Sequence, residues 1–187
     1  MTQPPRRLGG PPAVALAILA LLLPDLTPYT RAEQVSEEQL QATMLLQVMK
    51  FVEWPPQNIP SQMRICILGG GRFQAVVEVA AKNDSWRGRP ISVSAIEKVS
   101  QADDCHIAFI AAASERDIQS LIDRQAKPVL TVSHRDGFAR RGGMVNFVSE
   151  QGRIGLEVNP GAGERSGIRF SSKLLRLVRV VQSGGVN

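Results

Sequence analysis

The apolar positions of this chain change period along its length, and each change marks an element. From residue 36 they recur every three to four residues. Leu40, Met44, Val48 and Phe51 share one face, with Leu45 and Val52 beside it. Ser36-Glu37-Glu38-Gln39 has the S-x-x-Q form of a capping box. A helix is therefore expected from Ser36 to about Glu53, stopped by Trp54-Pro55-Pro56. Short apolar runs follow at 63–68, 90–95, 106–111 and 128–133. Runs of that length with little alternation read as strands buried on both faces. Helical spacing returns at 72–81, and from Ser114 to about Gln125, where Ile118, Leu121 and Ile122 turn inward. Residues 83–89 read as a polar loop carrying Trp86, and 96–102 as a short helix or loop.

A period of two takes over after residue 143. Residues 144–149 and 153–158 read as a hairpin joined by Glu150-Gln151-Gly152, a three-residue loop with Gly152 in the left-handed region. On the return strand Ile154, Leu156 and Val158 point one way, and Arg153, Gly155, Glu157 and Asn159 the other. The apolar face needs cover, and the first and last helices are expected to supply it. Asn159-Pro160 starts a short helix that Gly167 ends, and 168–170 can add a short strand. Residues 172–182 read as a last helix. Its Leu174, Leu175, Val178 and Val181 are apolar, with Lys173, Arg176 and Arg179 on another side. Strands alternating with helices, then a hairpin, predict one α/β domain: a mixed β-sheet flanked by helices on both faces, an α/β/α sandwich.

Charge alters this picture only at the start of the chain. Arg6 and Arg7, the apolar run 13–23, Pro24 and then Thr30-Arg31-Ala32 have the layout of a secretory signal peptide over residues 1–32, cleaved near Ala32. Eleven apolar residues are too few to span a bilayer comfortably. Without Arg6, Arg7, Arg31 and Asp25, the remaining chain, 33–187, has a net charge of +3 in place of +5. That mild excess, with few aromatic residues, does not suit nucleic-acid binding.

Candidate chemistry is sparse. The two cysteines, Cys66 in the first strand and Cys105 at the entry to the third, suggest one disulfide in an exported chain, the alternative being two buried thiols. First and third strands are commonly neighbours in doubly wound sheets. His106 and His134 lie in no metal-ligand spacing. Gly69-Gly70-Gly71, between strand and helix, could hold an anion on backbone N–H groups, but no Lys-Ser/Thr follows it. Ser171-Ser172-Lys173 stands at a helix start, where serines are caps. The residues carry no enzyme signature, and no cofactor or metal is expected. The most distinctive polar stretch is Arg140-Arg141-Gly142-Gly143, just before the hairpin. Its arginines are either a solvated turn or part of a binding surface, and its glycines serve backbone shape.

FVEWP (51–55), RICILG (64–69), GRPI (88–91), CHIAFIA (105–111), PVLTV (128–132), GFARRGGMVNFV (137–148) and SSKLLRL (171–177) occur in that order. In this the chain resembles the YfiR-like periplasmic proteins. The resemblance implies an α/β sandwich exported to the periplasm, a homodimer and no catalysis. It also implies a regulator that binds the periplasmic domain of an inner-membrane diguanylate cyclase, or another sensor protein, and represses it. An OmpA-like outer-membrane lipoprotein would relieve the repression. Cyclic-di-GMP and biofilm formation would then be the outputs. Arg140, Arg141, Arg176 and Arg179 are the residues expected to meet the partner, and a small-ligand or anion binder is the alternative. Two departures stand out. Leu46-Gln47 replaces an aromatic–Asn pair, and the cysteine pair that the family can carry near the hairpin is absent.

Overall fold

Ser36 caps the first helix as its sequence predicts. Gln39 N donates to Ser36 Oγ at 3.2 Å, and Ser36 N donates to Gln39 Oε1 at 2.7 Å. The computed structural model describes residues 36–124 and 127–184. The expected leader, 1–32, lies outside the described residues.

The helix α1 spans Glu37–Val48, shorter than expected. One 3₁₀ turn, Met49–Phe51, leads into the strand β1, Val52–Glu53. The buried stripe is also rotated. Ala42, Leu45, Leu46 and Met49 pack on the sheet, whereas Leu40 is 41% exposed. Small Ala42, fully buried, lets the helix approach the sheet closely.

Among the described residues, nine further strands and four helices follow; seven of the strands and the four helices keep the expected order, and two short strands, Ser85–Trp86 and Arg179–Val180, are additional. The strand β2 is Met63–Leu68, and the helix α2 is Gly71–Ala81. Then come β3 (Ser85–Trp86), β4 (Arg89–Ile96) and β5 (Ile107–Ile110). A 3₁₀ segment, Val99–Asp104, links β4 to β5. Next are α3 (Glu115–Asp123), β6 (Leu130–Ser133), β7 (Val145–Glu150) and β8 (Arg153–Val158). The chain continues through α4 (Pro160–Arg165), β9 (Arg169–Phe170) and α5 (Ser172–Leu175). A last strand, β10, is Arg179–Val180. Gln125, the expected end of the third helix, lies outside the described residues.

The main sheet has the order β10-β8-β7-β6-β5-β2-β4-β3. Its β4-β2-β5-β6-β7 core is parallel, β7-β8 is the antiparallel hairpin, and β1 pairs separately with β9. One face carries Ile65, Ile67, Ile107, Phe109, Leu130, Val132, Val145 and Phe147 under α1 and α2. Cys66, Leu68, Ala108 and Ile110 lie on the other face with Val99, Ile118, Leu121 and Ile122. This is the expected single-domain α/β/α sandwich with a mixed sheet.

Three local expectations fail for physical reasons. The hairpin turn holds two residues, because Glu150 pairs with Arg153. Gln151 (φ 51°) and Gly152 (φ 75°) are both left-handed, the arrangement that matches the twist of the flanking strands. Trp86 is not in a loop. It is buried in β3, its Nε1 donates to Met49 O at 3.1 Å, and its ring meets Trp54 edge-on with centroids 5.4 Å apart. The last helix stops at Leu175. Beyond it, β-branched Val178, Val180 and Val181 favour an extended chain, and Val181 N donates to Val158 O at 2.9 Å. Arg179 and Val180 therefore lie parallel beside Glu157 and Val158.

Cys66 and Cys105 are bonded, with Cα atoms 6.0 Å apart. β2 and β5 are neighbours, as expected, and the bridge joins β2 to the chain entering β5. Closing a loop of 39 residues is worth roughly 3–4 kcal/mol in the unfolded-chain model. Cys66→Ser should lower the melting temperature by roughly 5–15 °C in non-reducing buffer. An unchanged melting curve would show that the bridge adds nothing.

Candidate functional site

The turn before the hairpin is shaped by packing. Phe138 is fully buried, and Gly143 lies against its ring so closely that any side chain there would collide. Arg141 N donates to Gly137 O, Gly142 N to Ala139 O and Gly143 N to Phe138 O. The backbone of the turn is thus fixed, and its two arginines point to different partners.

Arg140 reaches back to β8. Its Nη2 lies 2.7 Å from Glu157 Oε1, and its Nε 3.4 Å from Oε2. Arg179 of β10 approaches the same carboxylate, with Nη1 3.2 Å from Oε1. It also grips Glu150 at the hairpin end, at 2.9 and 3.2 Å. The Glu157 side chain is 4% exposed, while both arginines are about half exposed (56% and 51%). The alternation sets Glu157 on the face opposite Ile154, Leu156 and Val158, and there Arg140 and Arg179 cover it, so that the carboxylate is buried between two guanidiniums. The hydrogen bond from Arg140 holds Glu157 below its ordinary value of 4.5, Arg179 adds to this, and burial opposes it.

The tail beyond β10 is tied to the same place. Buried Asn159 donates through Nδ2 to Ala139 O at 2.8 Å and to Ser183 Oγ at 2.9 Å. Its Oδ1 accepts from Ala162 N, capping α4. Gly184 N donates to Arg140 O at 3.1 Å.

The four expected arginines therefore divide. Arg140 and Arg179 meet at Glu157. Arg141 faces α3, where its Nη2 is 3.9 Å from Glu115 Oε2, and Arg135 holds that same glutamate at 2.7 Å. Arg176 is exposed and makes no ion pair among the described residues. Beside Arg176 and Arg179 the edge also presents two apolar side chains to water. Leu177 is 80% exposed and Val180 is 50% exposed. The run R-L-V-R-V-V was legible as amphipathic, but helical spacing hid which of its residues face water.

The glycine turn after β2 is held by backbone bonds and packing. Ala111 N and Ala112 N both donate to Leu68 O, and Gly69 packs on Ala112, where a side chain would collide. Ala112 thus packs over Gly69 at the carboxyl ends of β2 and β5, the end where open α/β sheets usually bind small molecules. His106 is partly buried and His134 is exposed at one edge, and desolvation holds each below its ordinary 6.5. Among the described residues no group of His, Cys, Asp and Glu is placed to hold a metal.

These groups set the pH response. Groups with depressed folded values contribute stability above their unfolded values and lose it as pH falls through the folded ones. The melting temperature should be flat near pH 7. It should start to fall below 6.5 as His106 and His134 take protons, then fall again below 4.5 as Glu157, Glu150 and Asp103 do. Glu157→Gln should be less stable at pH 7 and show a smaller second fall. A wild-type-like acid limb in that variant would refute the clamp.

The chain has two likenesses among known proteins. A solved structure, a conserved domain protein from Vibrio cholerae O1 biovar El Tor str. N16961, aligns with a TM-score of 0.48 and 12% identity over 78% of this chain. The alignment covers 60% of that protein's length. Residues 38–179 match the YfiR/HmsC-like family along all the secondary structure from α1 to the start of β10. The chain belongs to the YfiR/HmsC-like family.

Proposed function

We propose that this chain is a periplasmic regulator that binds the periplasmic domain of an inner-membrane diguanylate cyclase and represses it. It thereby restrains cyclic-di-GMP synthesis and biofilm formation. Family membership supports the general role of a periplasmic regulator with a membrane sensor as partner. The observation that carries the partner-binding reading is the C-terminal edge. Two apolar side chains, Leu177 and Val180, stand in water beside Arg176 and Arg179. Exposed apolar residues with adjacent arginines have the composition of the centre of a protein interface.

On this reading, Arg176, Leu177 and Val180 make contact, and Arg179 both orients the edge and lies at its rim. Arg140 and Arg141 act mainly inside the protein, through Glu157 and Glu115. The protein works as a homodimer, and an OmpA-like outer-membrane lipoprotein competes for it. The disulfide is a fixed staple, since a chain with two cysteines has no second bridge to switch. The alternative, an anion binder at the glycine turn or the basic turn, is disfavoured. Ala112 packs on Gly69 in the first place, and carboxylates of the protein itself pair with the arginines of the second.

The test uses the full exported chain and the periplasmic domain of an inner-membrane diguanylate cyclase from the same cell. The double variant Arg176→Glu, Leu177→Asp should bind at least about tenfold more weakly, as loss of a central contact does. Its melting temperature should stay within about 2 °C, because both side chains are exposed. Undiminished binding would remove this edge from the interface. Charge reversal at Arg140 is a poorer test, since it would leave Glu157 buried beside a like charge.

A further inference from the structure

A second surface, remote in sequence from the C-terminal edge, has the makings of a ligand site. Where β2, β5 and β6 begin, a cleft of about 490 Å³ opens between Arg64, His106, Lys127 and an apolar wall. Volumes of a few hundred Å³ are those of small-molecule sites. The wall includes Ile59, left 42% exposed, and Pro128, whose carbonyl is held by Trp54 Nε1 at 3.0 Å. The floor is rigid. It is made by the central strands, and Cys105 is bonded to Cys66.

The polar groups here are unequal in what they can still offer. Asp103 is already neutralised by Arg124 at 2.7 Å and Lys127 at 3.5 Å. Arg64 makes no ion pair among the described residues, so its guanidinium is available. His106 Nδ1 accepts the backbone N–H of Arg64 at 3.0 Å, which fixes the tautomer. Burial, with Arg64 close by, keeps the ring neutral at pH 7. Its Nε2 therefore carries a proton and is a donor without charge. One free cation, one neutral donor and an aliphatic wall are complementary to one carboxylate attached to an apolar body. Exposed Asp104 on the cleft lining disfavours a second negative charge.

We propose that this cleft binds a small organic monoanion of the medium-chain carboxylate class. Its carboxylate takes the guanidinium of Arg64 and the Nε2–H of His106, and its chain lies along Ile59 and Pro128. This binding is independent of the C-terminal edge and of the partner proposed to meet it.

The experiment is a ¹H–¹⁵N titration of the folded full-length exported protein with sodium hexanoate at pH 7. Saturating shifts should centre on the backbone amides of Ile59, Arg64 and His106. Arg64→Ala should raise the dissociation constant about tenfold, the loss of one charge-assisted hydrogen bond. Ile59→Ser should weaken binding through the wall alone, which gives a second test that leaves the polar groups intact. Hexan-1-ol and succinate should bind more weakly than hexanoate. Shifts that never saturate, binding unchanged in both variants, or hexan-1-ol binding as tightly as hexanoate would each overturn the proposal.

Discussion

A carboxylate can stay charged inside a protein only if its partners replace the water it has lost. Glu157 meets that condition through Arg140 from the turn before the hairpin and Arg179 from the last strand. The C-terminal segment depends on this arrangement. β10 contributes two paired residues to the sheet, too few for a strand to hold by backbone bonding alone. Arg179 fastens it twice, to Glu157 and to Glu150, and Asn159 fastens the tail beyond it. The edge that displays Leu177 and Val180 is thus presented in one geometry.

The parallel core serves this arrangement by being stiff and full. β2, β5 and β6 are buried on both faces, one disulfide joins β2 to the entry of β5, and Ala112 packs on Gly69 at the carboxyl ends of β2 and β5. A doubly wound sheet ordinarily places its chemistry at that end. Here the main polar features lie at the margins: the clamp at one edge, and the cleft at the amino ends of the central strands.

Much of the sheet was legible because its strands are short apolar runs separated by glycine, proline and caps. The capping box at Ser36 and the Asn159-Pro160 start both form as written. The adjacency of the first and third strands, and the bridge between Cys66 and Cys105, also followed from pattern and compartment. What failed depends on long-range packing. Residues 176–181 satisfy a helical period, but their β-branched side chains found an edge to pair with. Glu157 obeys strict alternation, yet nothing within β8 reveals that two arginines, 17 and 22 residues away, would cover it. Trp86 sits among polar neighbours in sequence and becomes a buried anchor against Trp54 and Met49. Of the four arginines singled out by pattern, two hold the structure through Glu157, one turns to Glu115, and Arg176 faces water.

The central claim is that the buried Glu157 carboxylate fastens β10 and its tail to the hairpin. Native-state hydrogen exchange in Glu157→Gln tests it most directly. The Val181 and Gly184 amides, which donate to Val158 and Arg140, should exchange much faster than in the wild type. The Ile65 and Ile107 amides of the central strands should keep their relative protection. Unchanged exchange at Val181 and Gly184 would show that the C-terminal edge holds without the clamp and would contradict this account.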